Sequence, residues 1–203
     1  MRTLWTAASG MKAQQLNMDT ISNNLANVNT TAFKKQKVEF KDLLYTSMKS
    51  VSNVPEQGEP VNLQIGHGVR PVATSRFFMN GNLEKTENPT DVGLEGPGFF
   101  VIENPGGNPE FLYTRDGNFK FAVDGDVMTL VTSNGYSVMS TDEDIIEIDG
   151  DMSDFSVSET GLVTARDLDG EIVELGQIQV VNFINPEGLQ AVGGNFYTAT
   201  VNS

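Results

Sequence analysis

Apolar residues repeat every seven positions at the start of the chain. The a and d positions of this heptad pattern are Leu4, Met11, Met18 and Leu25, and Ala7, Gln14, Ile21 and Val28. The pattern predicts an α-helix over residues 1–28 that packs lengthwise against another helix. The polar, turn-prone run 23–31 ends that helix. Because a lone amphipathic helix cannot bury its own apolar stripe, we expect a partner to cover these eight positions, which we call the heptad seam.

The segment 34–62 is expected to connect the helix to the rest of the chain. Apolar residues in 38–49 cluster loosely at helical spacing, which favours a short second helix. Residues 50–62 are rich in Pro, Gly, Ser and Asn, and this composition predicts a loop.

From residue 63 onward the pattern changes to short β-rich runs. Turn dipeptides separate them at intervals of roughly ten residues, which is typical of antiparallel β domains. The predicted strands are 99–102, 119–123, 127–132, 136–138, 145–148, 172–175 and 178–184. The turn signals are Asp116-Gly117, Asp124-Gly125, Asn134-Gly135, Asp149-Gly150, Thr160-Gly161 and Asp169-Gly170. The fold class is therefore mainly β with an N-terminal α-helical arm, and 63–203 form an antiparallel β domain.

Charge is distributed unevenly along the chain. The net charge is −14, yet the first 50 residues carry seven basic and three acidic side chains. The remainder carries six basic against 24 acidic side chains, which would repel phosphate and argues against nucleic-acid binding. No apolar stretch approaches the roughly 18 residues of a membrane span, so no membrane insertion is expected.

The residue inventory argues against catalysis. There is no cysteine, and His67 is the one histidine, so thiolate sites, a Ser-His-Asp triad and a multi-histidine metal site are disfavoured. Carboxylates are plentiful, but most lie beside glycine in predicted turns, where turn chemistry accounts for them. We therefore expect no catalytic residue, no cofactor and no metal ion.

Several segments in order resemble the flagellar basal-body rod and hook family of bacteria. The first is Ser9–Lys35, which contains the signature residues Asn23, Asn24, Leu25, Ala26, Asn27, Phe33 and Lys34. The others are Gly66–Pro71, Gly81–Asn88, Asp91–Phe100, Tyr113–Phe119 and Asn185–Leu189. Each motif alone is moderate evidence, whereas the ordered set spans nearly all 203 residues and is specific.

The resemblance implies a structural subunit that polymerises into a rigid, torque-transmitting tube. It implies residues 1–33 as the rod-core helix and signature turn, with the seam as the helix-packing surface. The expected partners are further copies in a helical filament, other rod and hook subunits, and the flagellar export apparatus. The expected location is the basal-body rod in the periplasm, reached without a cleaved signal peptide. Similarity is greatest to the distal rod, and a proximal rod or hook-type subunit is the alternative within the family.

Two departures from the family and one rival class remain open at this point. The family generally has glycine where Ala32 stands, and a positive φ there would cost alanine about 1 kcal/mol. Family members also continue past a segment like 195–197 into a C-terminal heptad helix, whereas this sequence ends at Ser203. We therefore expect the partner of the seam to lie outside these residues. The rival class is a cell-surface β binding module with an oligomerising helical stalk.

Overall fold

The computed structural model describes residues 2–49, 63–125, 127–142, 144–149, 152–167 and 169–203. Two compact units divide the chain, Met1–Phe77 and Phe78–Ser203. The division thus falls after Phe77, whereas the sequence pattern alone places the start of the β domain at residue 63. The class is mainly β with one N-terminal helix, as predicted.

The first unit combines the helix with two small antiparallel sheets. Helix α1 spans Arg2–Ala26, and the strands are β1 (Gln36–Asp42), β2 (Tyr45–Lys49), β3 (Leu63–Gly66) and β4 (Val69–Arg76). β1 pairs with β4, and β2 pairs with β3. Strands β3 and β4 therefore belong with the helix and not with the larger β unit. α1 contains no proline, and its Ala, Leu, Met, Gln and Lys residues favour the helix. Gly10 and the run 19–24 have lower helix propensity, so packing on β1 and β4 stabilises these parts.

The prediction of a short helix over 38–49 is wrong. Strands β1 and β2 occupy this segment, and β1 pairs with β4 from Gln36↔Arg76 to Asp42↔Val69. Val38 is buried while Lys37 and Glu39 on either side are exposed, which is the period-two alternation of a strand. Short apolar runs do not discriminate helix from strand by spacing alone, and pairing with a distant segment decided this one. The loop predicted over 50–62 lies outside the described residues.

The second unit contains three antiparallel sheets. Its strands are β5 (Phe99–Glu103), β6 (Phe111–Thr114), β7 (Phe119–Asp124), β8 (Val127–Thr132), β9 (Glu147–Asp149), β10 (Ser153–Val157), β11 (Leu162–Arg166), β12 (Ile172–Gln177), β13 (Val180–Val181), β14 (Gln190–Gly193) and β15 (Phe196–Thr198). A 3-10 turn, Pro186–Gly188, precedes β14. The sheets have the orders β13-β5-β6-β15-β14, β7-β8-β9 and β10-β11-β12.

Strand β5 lies at the centre of the packing. Its first four residues are all buried because apolar clusters cover both faces of the strand. Phe100 and Ile102 belong to the main core, and Phe99 belongs to a second, aromatic cluster with Tyr197. The segment 137–140, part of which the sequence predicted as a strand, instead makes isolated bridges that join neighbouring sheets. The continuous apolar run at 99–102 was thus a correct signal for a fully buried strand.

Four of the predicted turn signals are confirmed, whereas Gly150 lies outside the described residues. Gly125, Gly135, Gly161 and Gly170 have φ values of 68°, 83°, 80° and 82°, which favour glycine because it lacks a Cβ. Gly117 differs, since its backbone φ is not in that region. A Cβ built there would lie 1.7 Å from the carbonyl oxygen of Val92, so close backbone approach demands glycine.

Candidate assembly surface

The heptad seam is exposed: seven of its residues lie on helix α1, and Val28 lies in the turn that follows Ala26. Its apolar side chains have large exposed fractions: Leu4 70%, Met11 67%, Met18 61%, Ile21 50%, Leu25 70% and Val28 69%. Ala7 and Gln14 are exposed as well. A row of methionine and leucine side chains open to water is unfavourable, and contiguous exposed apolar patches mark interaction sites. Among the described residues of the first unit, none buries this face of the helix.

A different face of the helix docks on strands β1 and β4. Ala13 is 4% exposed, and the half-buried residues on the same side are Ser9, Gly10, Leu16, Asn17, Thr20 and Asn24. Most of these side chains are small or polar, which lets the helix backbone approach the strands closely. We call this set the docking face. The helix therefore presents its small and polar side to its own unit and its apolar side to solvent.

Asn24 fastens the end of α1 to the start of β1. Its amide nitrogen Nδ2 donates to the carbonyl oxygen of Gln36 at 2.8 Å, and the Gln36 backbone N–H donates to Asn24 Oδ1 at 2.9 Å. The side-chain amide thus replaces a strand partner for that peptide and satisfies both of its backbone groups. This contact gives the signature position Asn24 a specific structural role.

The N-terminal half of the helix is held by the turn between β3 and β4. Gly68 has φ +108°, and a Cβ built there would lie 2.2 Å from the Ser9 hydroxyl oxygen. The turn can therefore reach the helix only because residue 68 is glycine. Beside it, His67 Nε2 lies 2.6 Å from the Thr46 hydroxyl, so the one histidine bridges to β2. The Gly66–Pro71 motif thus helps to hold the helix against the rest of the first unit.

The remaining signature residues close the helix and turn the chain. Asn27 Nδ2 donates to the Asn23 carbonyl at 2.9 Å, and the Thr30 hydroxyl lies 3.2 Å from Asn27 Oδ1. The Asn23 carbonyl also accepts from the Asn27 backbone N–H at 3.2 Å, so these side-chain bonds reinforce the last turn of the helix. Phe33 and Lys34 are half-buried where the chain leaves this turn. Ala32 has φ 58°, so alanine occupies a left-handed conformation that favours glycine.

Sequence reasoning missed the docking face. The heptad pattern drew attention to the apolar side, while Ala13, Thr20 and Asn24 gave no hydrophobic signal. Their spacing at i, i+7 and i+11 on one helix face could have indicated close packing. A second missed feature is the Asp42 carboxylate, whose hydrogen bond raises the pKa of the exposed Tyr45 phenol.

Over the described part of the chain, no three His, Asp or Glu side chains lie in a metal-binding arrangement. The described helix also falls short of the apolar length needed to span a bilayer.

Comparison with known proteins places these features in a family. A model described as flagella basal body rod protein matches residues 4–34, and a flagellar hook protein FlgE/F/G D1 domain model matches residues 93–165. The flagellar basal-body rod protein FlgG of Borreliella burgdorferi is 44% identical, and the match covers all of this chain and 75% of the relative. The chain belongs to the FlgG family of flagellar basal-body rod proteins. The FlgG proteins of Caulobacter vibrioides and Bacillus subtilis are 40% and 35% identical, and each match also covers all of this chain.

The share of each relative that the match covers distinguishes the rod proteins from the hook protein. The Helicobacter mustelae hook protein FlgE is 38% identical, but the match covers 68% of this chain and only 30% of that protein. FlgG relatives match over about three quarters of their length. Membership of the FlgG family therefore favours the rod subunit over the hook-type alternative and over a cell-surface binding module.

Proposed function

We propose that this FlgG-family chain is a non-enzymatic structural subunit of the distal rod that polymerises through the heptad seam into a torque-transmitting shaft. The observation that carries the proposal is an apolar stripe left exposed on a helix whose other side is already docked. A helix with two faces, one used within the unit and one free, is suited to contact further helices. Knob-into-hole packing of such stripes supplies both adhesion and stiffness.

The assembly is expected to be open-ended. Heterologous, head-to-tail contacts that do not close generate helical filaments. Further copies, other rod and hook subunits and the flagellar export apparatus are the proposed partners. The proposed location is the basal-body rod in the periplasm, reached by flagellar export without cleavage of a signal peptide.

The charge distribution is suited to keep dilute monomers from associating too early. Outside the first 50 residues the chain carries 24 acidic and six basic side chains. Like charge of this size keeps dilute monomers apart through mutual repulsion. The first 50 residues carry the opposite excess, so the segment that bears the seam escapes that repulsion.

The test is to place charge on the seam without disturbing the fold. Lysine replaces Met11 and Met18 together, and both positions are more than 60% exposed. We expect the purified variant to retain the helical circular dichroism of the parent, because these side chains make few contacts in the monomer. Burial of lysine in a helix–helix seam is costly, so rods and motility should be lost in a flagellated host that lacks its own copy.

The matched control is Asp19→Lys, an exposed position of the same helix outside the seam. It should leave rods and motility intact. The amount of each variant outside the cytoplasm is measured as well, so that failed export is not mistaken for failed assembly. Normal rods built from the double variant, with both lysines present, would refute the role of the seam.

A further inference from the structure

The second unit contains two Asn-Gly pairs in different surroundings. They are Asn80-Gly81 and Asn134-Gly135, and all four residues are exposed. In such pairs the backbone nitrogen of glycine can attack the preceding side-chain amide, because glycine offers no side chain to block the approach. The two sites share this sequence chemistry, so any difference between them comes from the fold.

At Asn134 the attacking atom is held. The Gly135 backbone N–H donates to the Thr132 carbonyl at 2.9 Å within the turn. The glycine has φ +83°, as a tight turn requires. Attack by this nitrogen would break the turn hydrogen bond and move the backbone, so the turn protects Asn134.

At Asn80 the attacking atom is free and the electrophile is activated. Gly81 has no regular secondary structure, and its backbone N–H makes no hydrogen bond in the described part of the chain. A Cβ built at Gly81 would meet nothing within 4 Å, so the site is open. The Asn80 side-chain oxygen Oδ1 accepts a hydrogen bond from Arg115 Nη2 at 2.7 Å. A cationic donor on this oxygen draws electrons from Cγ and would stabilise the oxyanion formed on attack.

Arg115 is itself firmly placed. Nη1 donates to the Phe78 carbonyl at 3.0 Å, Nη2 also donates to the Gly96 carbonyl, and the guanidinium lies 5.7 Å from the centre of the Phe99 ring. Its partners are neutral oxygens and an aromatic face, and no carboxylate neutralises it among these contacts. The guanidinium therefore remains cationic beside the Asn80 amide and can polarise its carbonyl.

We propose that Asn80 is a site of spontaneous deamidation promoted by Arg115. The Gly81 nitrogen gives its proton to solvent and forms a bond to Asn80 Cγ, and Oδ1 becomes an oxyanion on Arg115. The Cγ–Nδ2 bond then breaks, and Nδ2 takes a proton and leaves as ammonia. Water opens the resulting succinimide at either carbonyl, which gives aspartate or isoaspartate at position 80.

The products change the contact with Arg115. A carboxylate replaces a neutral amide beside the guanidinium, which converts an ordinary hydrogen bond into a charge-assisted pair. In the isoaspartate product the main chain also gains a methylene, which shifts the segment that leads away from Phe78. Deamidation of Asn80 is thus a slow, irreversible change that adds a negative charge beside Arg115.

The experiment compares both asparagines in one sample. The intact protein is incubated at constant pH, folded or in denaturant, and tryptic peptides 77–85 and 121–166 are followed by mass spectrometry with fragmentation. We expect folded Asn80 to convert several-fold faster than folded Asn134, and the two rates to become similar in denaturant. Folded Asn80 should also convert faster than unfolded Asn80. Equal rates in the folded protein, or acceleration of Asn80 by unfolding, would overturn the proposal.

Two variants separate the role of Arg115 from that of the open backbone. Arg115→Gln removes the charge, and Arg115→Lys retains it but loses the fork that holds three oxygens. We expect Asn80 conversion to slow several-fold in Arg115→Gln and Asn134 conversion to be unchanged. An unchanged Asn80 rate in folded Arg115→Gln refutes activation by Arg115. If neither variant folds, the comparison of folded with unfolded wild-type protein decides.

Discussion

Replacing Ala32 by glycine is expected to stabilise the first unit. Ala32 has φ 58°, and an L-residue in this left-handed region costs about 1–2 kcal/mol. Glycine removes that cost but adds about 0.4–1 kcal/mol of unfolded-chain entropy. Loss of a half-buried methyl group subtracts a few tenths more. With mid-range values for each term, the balance predicts a gain of about 0.5 kcal/mol for Ala32→Gly.

The assay follows unfolding by the helical circular dichroism signal. Within the described residues α1 is the sole α-helix, so this signal reports on the first unit. For a unit of 77 residues the expected gain corresponds to a rise in melting temperature of about 2–4 °C. Urea titration of the full chain gives the free energy directly, provided that the slope with denaturant is unchanged.

The matched control makes the same chemical change at Ala8, an exposed residue inside α1. Glycine in a helix interior costs roughly 1 kcal/mol relative to alanine, so Ala8→Gly should destabilise the unit. The two substitutions therefore have opposite predicted signs. A loss of stability in Ala32→Gly comparable with that in Ala8→Gly would refute the argument from backbone conformation.

Three further changes test other contacts. Asn24→Asp puts a carboxylate oxygen against a backbone carbonyl at the start of β1 and should cost about 1–3 kcal/mol in urea unfolding, while exposed Asn23→Asp should cost less than about 0.5. Gly117→Ala forces a Cβ into a backbone carbonyl and should cost more than about 3 kcal/mol, so an unchanged melting temperature would disprove the close approach. Tyr45 should titrate above its ordinary pKa of 10.0 by ultraviolet absorbance, and Asp42→Asn should lower that pKa. The small stabilisation from this hydrogen bond is present below pH 10.0 and is lost as pH rises through the raised pKa, and identical titrations would exclude it.

Local patterns predicted α1 and strands β5, β7, β8, β9, β12 and β13, but they missed the other described strands and how the strands pair. Heptad spacing marked α1, and a continuous apolar run marked β5, because both signals lie within a few neighbouring residues. The helix prediction for residues 38–49 was wrong because the strands there are stabilised by pairing with β3 and β4 further along the chain. The alternation around Val38 is too short to distinguish a strand from loose helical spacing, so the pairing partner decided the structure.

The sequence predicted which residues form the candidate surface, but it did not predict the contacts that hold the helix on β1 and β4. The exposed positions Leu4 to Val28 follow directly from the heptads. The docking face did not, because its contacts depend on small size and on one amide at Asn24 rather than on hydrophobicity. The positive φ of Ala32 was foreseeable only through the family resemblance, which implies glycine at that position and therefore a left-handed backbone.

Contacts at both ends of α1 fix the rotation of the helix about its own axis. Rotation would break the Asn24–Gln36 amide pair at one end and drive side chains into Gly68 at the other. An incoming helix would therefore meet a ridge whose direction was set while the monomer folded. A flexible segment would lose conformational entropy on binding, whereas this helix is already ordered in the monomer. Such preorganisation favours tight binding with a uniform geometry at each contact between helices.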